Sequence, residues 1–224
     1  MSGQAAGDVV ALGLGVALSP LAIVALTVML VAPDGARPAS AFVGAWVLSL
    51  SLVSVIALLV ADGADAGTDA GPARWVSIVK IVVALLLVLV AARQWRARGR
   101  EQAQANGWVR KLDDVTVTRA ATLAVLLAAV KPKNLLLAIG AGVAVAQVGA
   151  SAAGQAVAIA VFVVLGTAGL LIPLAIHVLM PERGGALLTR LRDWMVRENA
   201  AIVSVLCLII AAKLLGDVLV SLAG

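Results

Sequence analysis

Apolar runs of about 20 residues recur from one end of this chain to the other, and that recurrence leaves few folds open. Each run is long enough to cross a ~30 Å hydrocarbon core as a helix. Composition agrees, with 62% hydrophobic and 13% charged residues among 224 and a mean hydropathy of +1.09. A soluble domain has no way to hide that much apolar surface. The chain therefore reads as an all-α integral membrane protein that crosses the bilayer several times.

Six spans are expected, over residues 9–31, 41–61, 73–92, 120–148, 151–180 and 200–222. The fourth and fifth nearly fuse around 147–151, but together they are about twice a bilayer crossing. No hydrophilic stretch is long enough for a second domain, so residues 1–224 are expected to form a single membrane domain. Met1–Asp8 lacks the basic n-region of a cleaved signal, and the first span is expected to be retained. A lone cysteine, Cys207, excludes an intramolecular disulfide and any dithiol relay.

Basic residues set the orientation. Arg37 lies in the first connection, and the connections 93–119 and 181–199 carry most of the remaining arginines. The opposite side holds only Arg74, beside Asp8, Asp62, Asp65 and Asp69. The positive-inside rule then puts those connections in the cytoplasm and both termini outside, N-out and C-out. Trp95 is placed as an interfacial anchor, and 94–118 reads as a solvated basic linker. Within the other connection, Leu187, Leu188, Leu191, Trp194 and Met195 recur at helical spacing. That stretch, Ala186–Glu198, is expected to be an amphipathic helix lying on the inner leaflet.

The least expected residues inside the spans are Lys131-Pro132-Lys133-Asn134. A lysine at mid-depth costs at least ~2.5–3.5 kcal/mol on insertion scales, so it usually faces a cavity. Proline removes a backbone hydrogen bond and breaks the helix. The first span carries Ser19-Pro20 at a corresponding depth, about eleven or twelve residues or ~17 Å from its start. The flanks rhyme, Val16-Ala17-Leu18-Ser19-Pro20 against Ala128-Ala129-Val130-Lys131-Pro132. Lys80 in the third span likewise answers Lys213 in the sixth. The expected fold is thus an inverted 3+3 repeat, with helices 1 and 4 broken at Pro20 and Pro132.

Lys131, Lys133, Asn134, Ser19, Lys80 and Lys213 are the candidate substrate-binding residues, and Asp217 is a candidate for proton coupling. With Asp217 read as the sole intramembrane acid, four lysines make a cationic cavity suited to phosphate, sulfate or carboxylate. Each has a plainer reading. Lys213 and Asp217 are spaced i, i+4 and can neutralise each other. Lys80 can snorkel to the outer interface. Lys133 can reach a carbonyl freed by Pro132. No metal site or cofactor is expected, because the one histidine, His177, and the lone cysteine form no ligand cluster. With no P-loop and no nucleophile beside a base, the chain is not expected to be an enzyme, nor to bind nucleic acid.

These motifs resemble those of the lysine-exporter superfamily, which carries a proline motif in span one and an Asn-Pro-Lys-type motif in span four. Within it the chain is most similar to the actinobacterial peptidoglycolipid-addressing, or sulfolipid-addressing, proteins. The resemblance covers the whole length: six spans, Ser19-Pro20, Pro132-Lys133-Asn134, a basic third connection and a lysine in span three. It implies movement of a complex cell-envelope lipid or glycolipid across, or out of, the bacterial cytoplasmic membrane. Joined to the repeat and the lysines, the expected function is a secondary-type transporter of an anionic one, with a homodimer among the partners considered. Two other readings stay open: an assembly subunit docking a lipid synthase or larger export machinery, and a small-solute exporter of amino-acid type.

Overall fold

The structure, a computed structural model, describes residues 3–65, 72–97, 115–146, 151–180 and 184–223. Every regular element among them is helical. In chain order these are α1 (Gly3–Ala17), α2 (Pro20–Val31), α3 (Ala36–Asp65), α4 (Pro72–Arg96), α5 (Val117–Val125), a π-turn (Leu126–Val130), α6 (Pro132–Ala146), α7 (Ala152–Leu179) and α8 (Gly184–Ala223). Four helices are long and apolar enough to cross a membrane, or six crossings if each bent pair is one span. Lipid-sized side chains such as Leu48, Leu52, Ile56 and Leu59 point outward from α3. This is a multi-pass membrane protein.

Both predicted breaks are present, and proline explains their geometry. The chain bends by 49° between α1 and α2, and by 63° between α5 with its π-turn and α6. A proline ring pushes the residue before it out of the helical region. Ser19 accordingly sits at φ −106°, ψ 90°, and Lys131 at φ −61°, ψ 122°. The same ring suits the first turn of a new helix, where a missing N–H costs nothing. Each proline therefore ends one helix and begins the next.

The halves interlock. α1 packs on α7 and α5 packs on α3, while α2 meets α8, α6 meets α4, and α4 and α8 share the longest contact. Trp46 and Phe42 stack in the core with ring centroids 6.2 Å apart, and the Trp46 indole N–H donates to the Gly166 carbonyl at 3.4 Å. Glycine admits the closest approaches. A β-carbon on Gly169 of α7 would lie 1.9 Å from the Ala17 carbonyl oxygen, where α1 ends. On Gly142 of α6 it would lie 2.4 Å from the Ser54 carbonyl oxygen of α3. These are backbone atoms that cannot swing away. Gly169→Ala is expected to cost about 1–3 kcal/mol by overpacking, read as a lower unfolding temperature in detergent; an unchanged temperature would show that α7 sits further from the first break.

One expectation fails here. Ala186–Glu198 is not a separate helix on the leaflet but the first part of α8, a single helix of 40 residues. No proline or glycine separates it from the sixth span, so nothing interrupts the hydrogen-bond ladder. Leu188, Met195 and Val196 are buried in the bundle, while Leu187 and Trp194 stay exposed. Ser49 and Ser54 of α3 donate to the carbonyls of Ala45 and Leu50, four residues back.

Candidate functional site

The two breaks meet each other, and side chains donate to backbone carbonyls at both. α1 ends at Ala17, and the Leu18 N–H still reaches the Leu14 carbonyl at 3.1 Å. The next carbonyl, Gly15, has no such backbone donor and takes the Lys133 ammonium at 2.6 Å, which also contacts the Leu18 carbonyl at 3.3 Å. Lys133 therefore caps a helix C-terminus, where the dipole favours a cation.

The second break is repaired in a parallel way. Through the π-turn, the Lys131 N–H bonds the Leu126 carbonyl at 2.9 Å, five residues back. In that register the Leu127 carbonyl would look to Pro132, which has no N–H. The Asn134 side-chain amide donates to it instead, at 2.8 Å. Ser19 then joins the breaks, its hydroxyl donating to Asn134 Oδ1 at 2.9 Å. Lys133 and Asn134 are essentially inaccessible, and Ser19 is buried with them. On its plainer reading Lys133 reaches a carbonyl freed by its own proline; the carbonyls it reaches are those of the other break.

Lys80 and Lys213 lie in a second cluster. Asp8 of α1 is buried and accepts from Lys80 of α4 at 3.0 Å and from Lys213 of α8. Asp217 completes the group, 2.7 Å from Lys213. Asp8 is seven residues before Gly15, roughly 10 Å along α1, so these lysines do not share the junction of Lys133 and Asn134. The expectation that Asp217 is the sole intramembrane acid is corrected: Asp8, placed outside from the sequence, is drawn in because helix α1 begins before the apolar run does. Two aspartates balance two lysines, so the four-lysine cationic cavity does not form. The plainer reading of Lys213 and Asp217 as neighbours that neutralise each other is met, with Asp8 added.

Both lysines of the motif border one groove, Lys133 with its ammonium turned to the α1 carbonyls. Lys131, half-buried, lines a groove of about 340 Å³ between α4 and the second break. Arg93 and Gln94 stand in the same groove with Leu86, Leu89, Val90, Leu135 and Leu136. Sequence reading missed Asp8 and Arg93 as site residues. Arg93 was assigned to the connection 93–119, although α4 runs on through Arg96; the signal available was its spacing from Leu86, Leu89 and Val90 along one helical face.

Among the described residues, no group of three or more histidine, cysteine, aspartate or glutamate side chains could hold a metal ion. A broken helix pair locked break to break, in a chain of apolar spans, is the frame on which the similarity to known proteins bears. The model of the family described as Sap, sulfolipid-1-addressing protein, matches residues 9–219. The chain belongs to the sulfolipid-1-addressing protein family. The match takes in both breaks, the Asp217 end of α8 and every connection between. Searches of curated proteins and of solved structures each found no match.

Proposed function

We propose that this sulfolipid-1-addressing family member exports an anionic cell-envelope lipid or glycolipid across, or out of, the bacterial cytoplasmic membrane. The family description supports a role in lipid export or localisation. The observation that carries the transport reading is the junction of the two broken helices, with Ser19 bonded to Asn134 and Lys133 bonded to Gly15. Broken helices paired at the midplane are how secondary transporters build a site between two halves.

The packing also supports an inverted 3+3 repeat. Exchanging α1–α2 with α5–α6, α3 with α7 and α4 with α8 turns the α1–α7 contact into α5–α3 and α2–α8 into α6–α4. The α4–α8 and α3–α7 contacts map onto themselves. On this reading the present arrangement is a closed one, and access alternates as the halves rock about the breaks. The headgroup is held near the breaks, where Lys131 and Lys133 supply positive charge, and Asp217, with Asp8, is the candidate for proton coupling. The termini face outward, the protein performs no enzymatic step, and its place is within the lysine-exporter superfamily.

Lipid profiling of a deletion strain tests this. Complementation with Lys131→Gln, at normal protein level, is expected to leave surface anionic lipid depleted by about tenfold, the effect of losing one charge-assisted contact. Full restoration by this variant, together with failure of a deletion within 98–114, would instead favour an assembly subunit that docks other machinery.

A further inference from the structure

The groove beside the second break carries an inference that rests on the export reading and adds a route to it. Its α4 wall presents Leu86, Leu89, Val90 and Arg93 on one face, and its other wall is the break itself, with Lys131 and Leu135. From Leu86 to Arg93 is roughly 10 Å along the helix. The groove is therefore amphiphilic, with Leu86, Leu89 and Val90 on its apolar side and the cations Arg93 and Lys131 in the same lining. Leu86, Leu89 and Val130 are all substantially exposed, so the groove opens sideways to the hydrocarbon.

Other concavities lack this combination. The groove between α2 and α8 carries one cation, Arg192, which is paired with its neighbour Asp193 at 2.9 Å. The groove between α3 and α7 has no cation among its lining residues. A third, of about 440 Å³ between α3, α4 and α6, is lined only by apolar side chains, and it shares Leu135 with the cationic groove. Leu135 opens the first turn of α6, just past the break. The apolar surface thus continues along α6 past the helix bend.

We propose that this groove is the seat through which an anionic lipid reaches the breaks from the leaflet on the Arg93 side, the inner one in the orientation given above. Arg93 and Lys131 hold the headgroup. Leu86, Leu89 and Leu135 receive the acyl chain, which passes Leu135 into the apolar groove beyond. Charge complementarity selects the headgroup, because two cations in a partly desolvated concavity favour phosphate or sulfate over a neutral zwitterion. An open flank lets long chains remain in lipid while the headgroup moves, so the groove need not enclose the whole molecule.

A photo-crosslinking experiment on the full chain tests the seat. The protein carries p-benzoylphenylalanine at Leu89, or at Leu52 as an outward-facing control on α3, in nanodiscs of equal phosphatidylglycerol and phosphatidylcholine. Position 89 is expected to capture phosphatidylglycerol with about tenfold preference over the control ratio, as one charge-assisted contact would supply. Arg93→Gln is expected to return that preference to the control value. Equal ratios at 89 and 52, or a preference untouched by Arg93→Gln, would overturn the seat. Such a result would leave the export reading standing if Lys131→Gln still depletes surface lipid. Conversely, capture at 89 that depends on Arg93, in a strain whose surface lipid Lys131→Gln restores, would keep the lipid seat and refute export through it.

Discussion

Lys133→Met is expected to destabilise the fold by roughly 1–3 kcal/mol, because it orphans the buried Gly15 carbonyl, while the longer contact to the part-buried Leu18 carbonyl adds less. The acceptors are the Gly15 and Leu18 carbonyls, which take the ammonium at 2.6 and 3.3 Å. Methionine fills much of the lysine volume, so the loss isolates hydrogen bonding from packing. Relief of the buried charge works the other way, but it cannot supply donors to carbonyls at the open end of α1. Thermal unfolding in detergent checks the outcome. A variant as stable as the parent would mean that the first break closes without Lys133, and that its ammonium serves the substrate alone.

Asp8→Asn should weaken a different part of the bundle. Asp8 is 1% exposed and joins Lys80 and Lys213, on helices α4 and α8, to α1. Removing one partner of a buried ion pair costs about 3–5 kcal/mol. Lys80 and Lys213 remain 13% and 31% exposed, so water takes up part of the loss and the lower end, about 3 kcal/mol, is expected. Asp217→Asn provides the comparison. Asp217 is 19% exposed and bonded to a lysine one turn away on the same helix, an arrangement worth about 0.5 kcal/mol. A larger loss from Asp217→Asn than from Asp8→Asn would show that the cluster does not hold α1 to the other half.

The two substitutions probe features of unequal legibility. That helices break at Pro20 and Pro132 follows from the proline ring, which acts on its own neighbours and so is local. The pairing of the breaks was suggested by matching depth and matching flanks, again properties of the chain as written. The partner of Lys133 was not. An ammonium on a flexible stem reaches any carbonyl within several ångströms, and only packing decides that the nearest ones belong to α1 rather than to its own helix.

Asp8 went unrecognised for a related reason. Hydropathy ends the first span at Val9, yet a helix continues wherever its backbone bonds can, and here it runs back to Gly3. The continuation carries Asp8 beside α4 and α8, where two lysines neutralise it. With that acid counted beside Asp217, the apparent surplus of positive charge shrinks from three to two, the lysines at the break. The same continuity absorbs Ala186–Glu198 into α8. Amphipathic spacing records which face is apolar, but it does not distinguish a lipid surface from the flank of a neighbouring helix.

The sequence by itself determined a chain of apolar spans, two proline breaks at similar depth and a concentration of basic residues on one side. These rest on composition and on backbone sterics, which act over a few residues. Tertiary structure alone decided that the breaks close on each other through Ser19, Lys133 and Asn134, that Asp8 balances Lys80 and Lys213, and that Arg93 shares a groove with Lys131. Each of those contacts joins residues far apart in the chain, and hydrogen bonds and ion pairs form only where packing brings their atoms within about 3 Å.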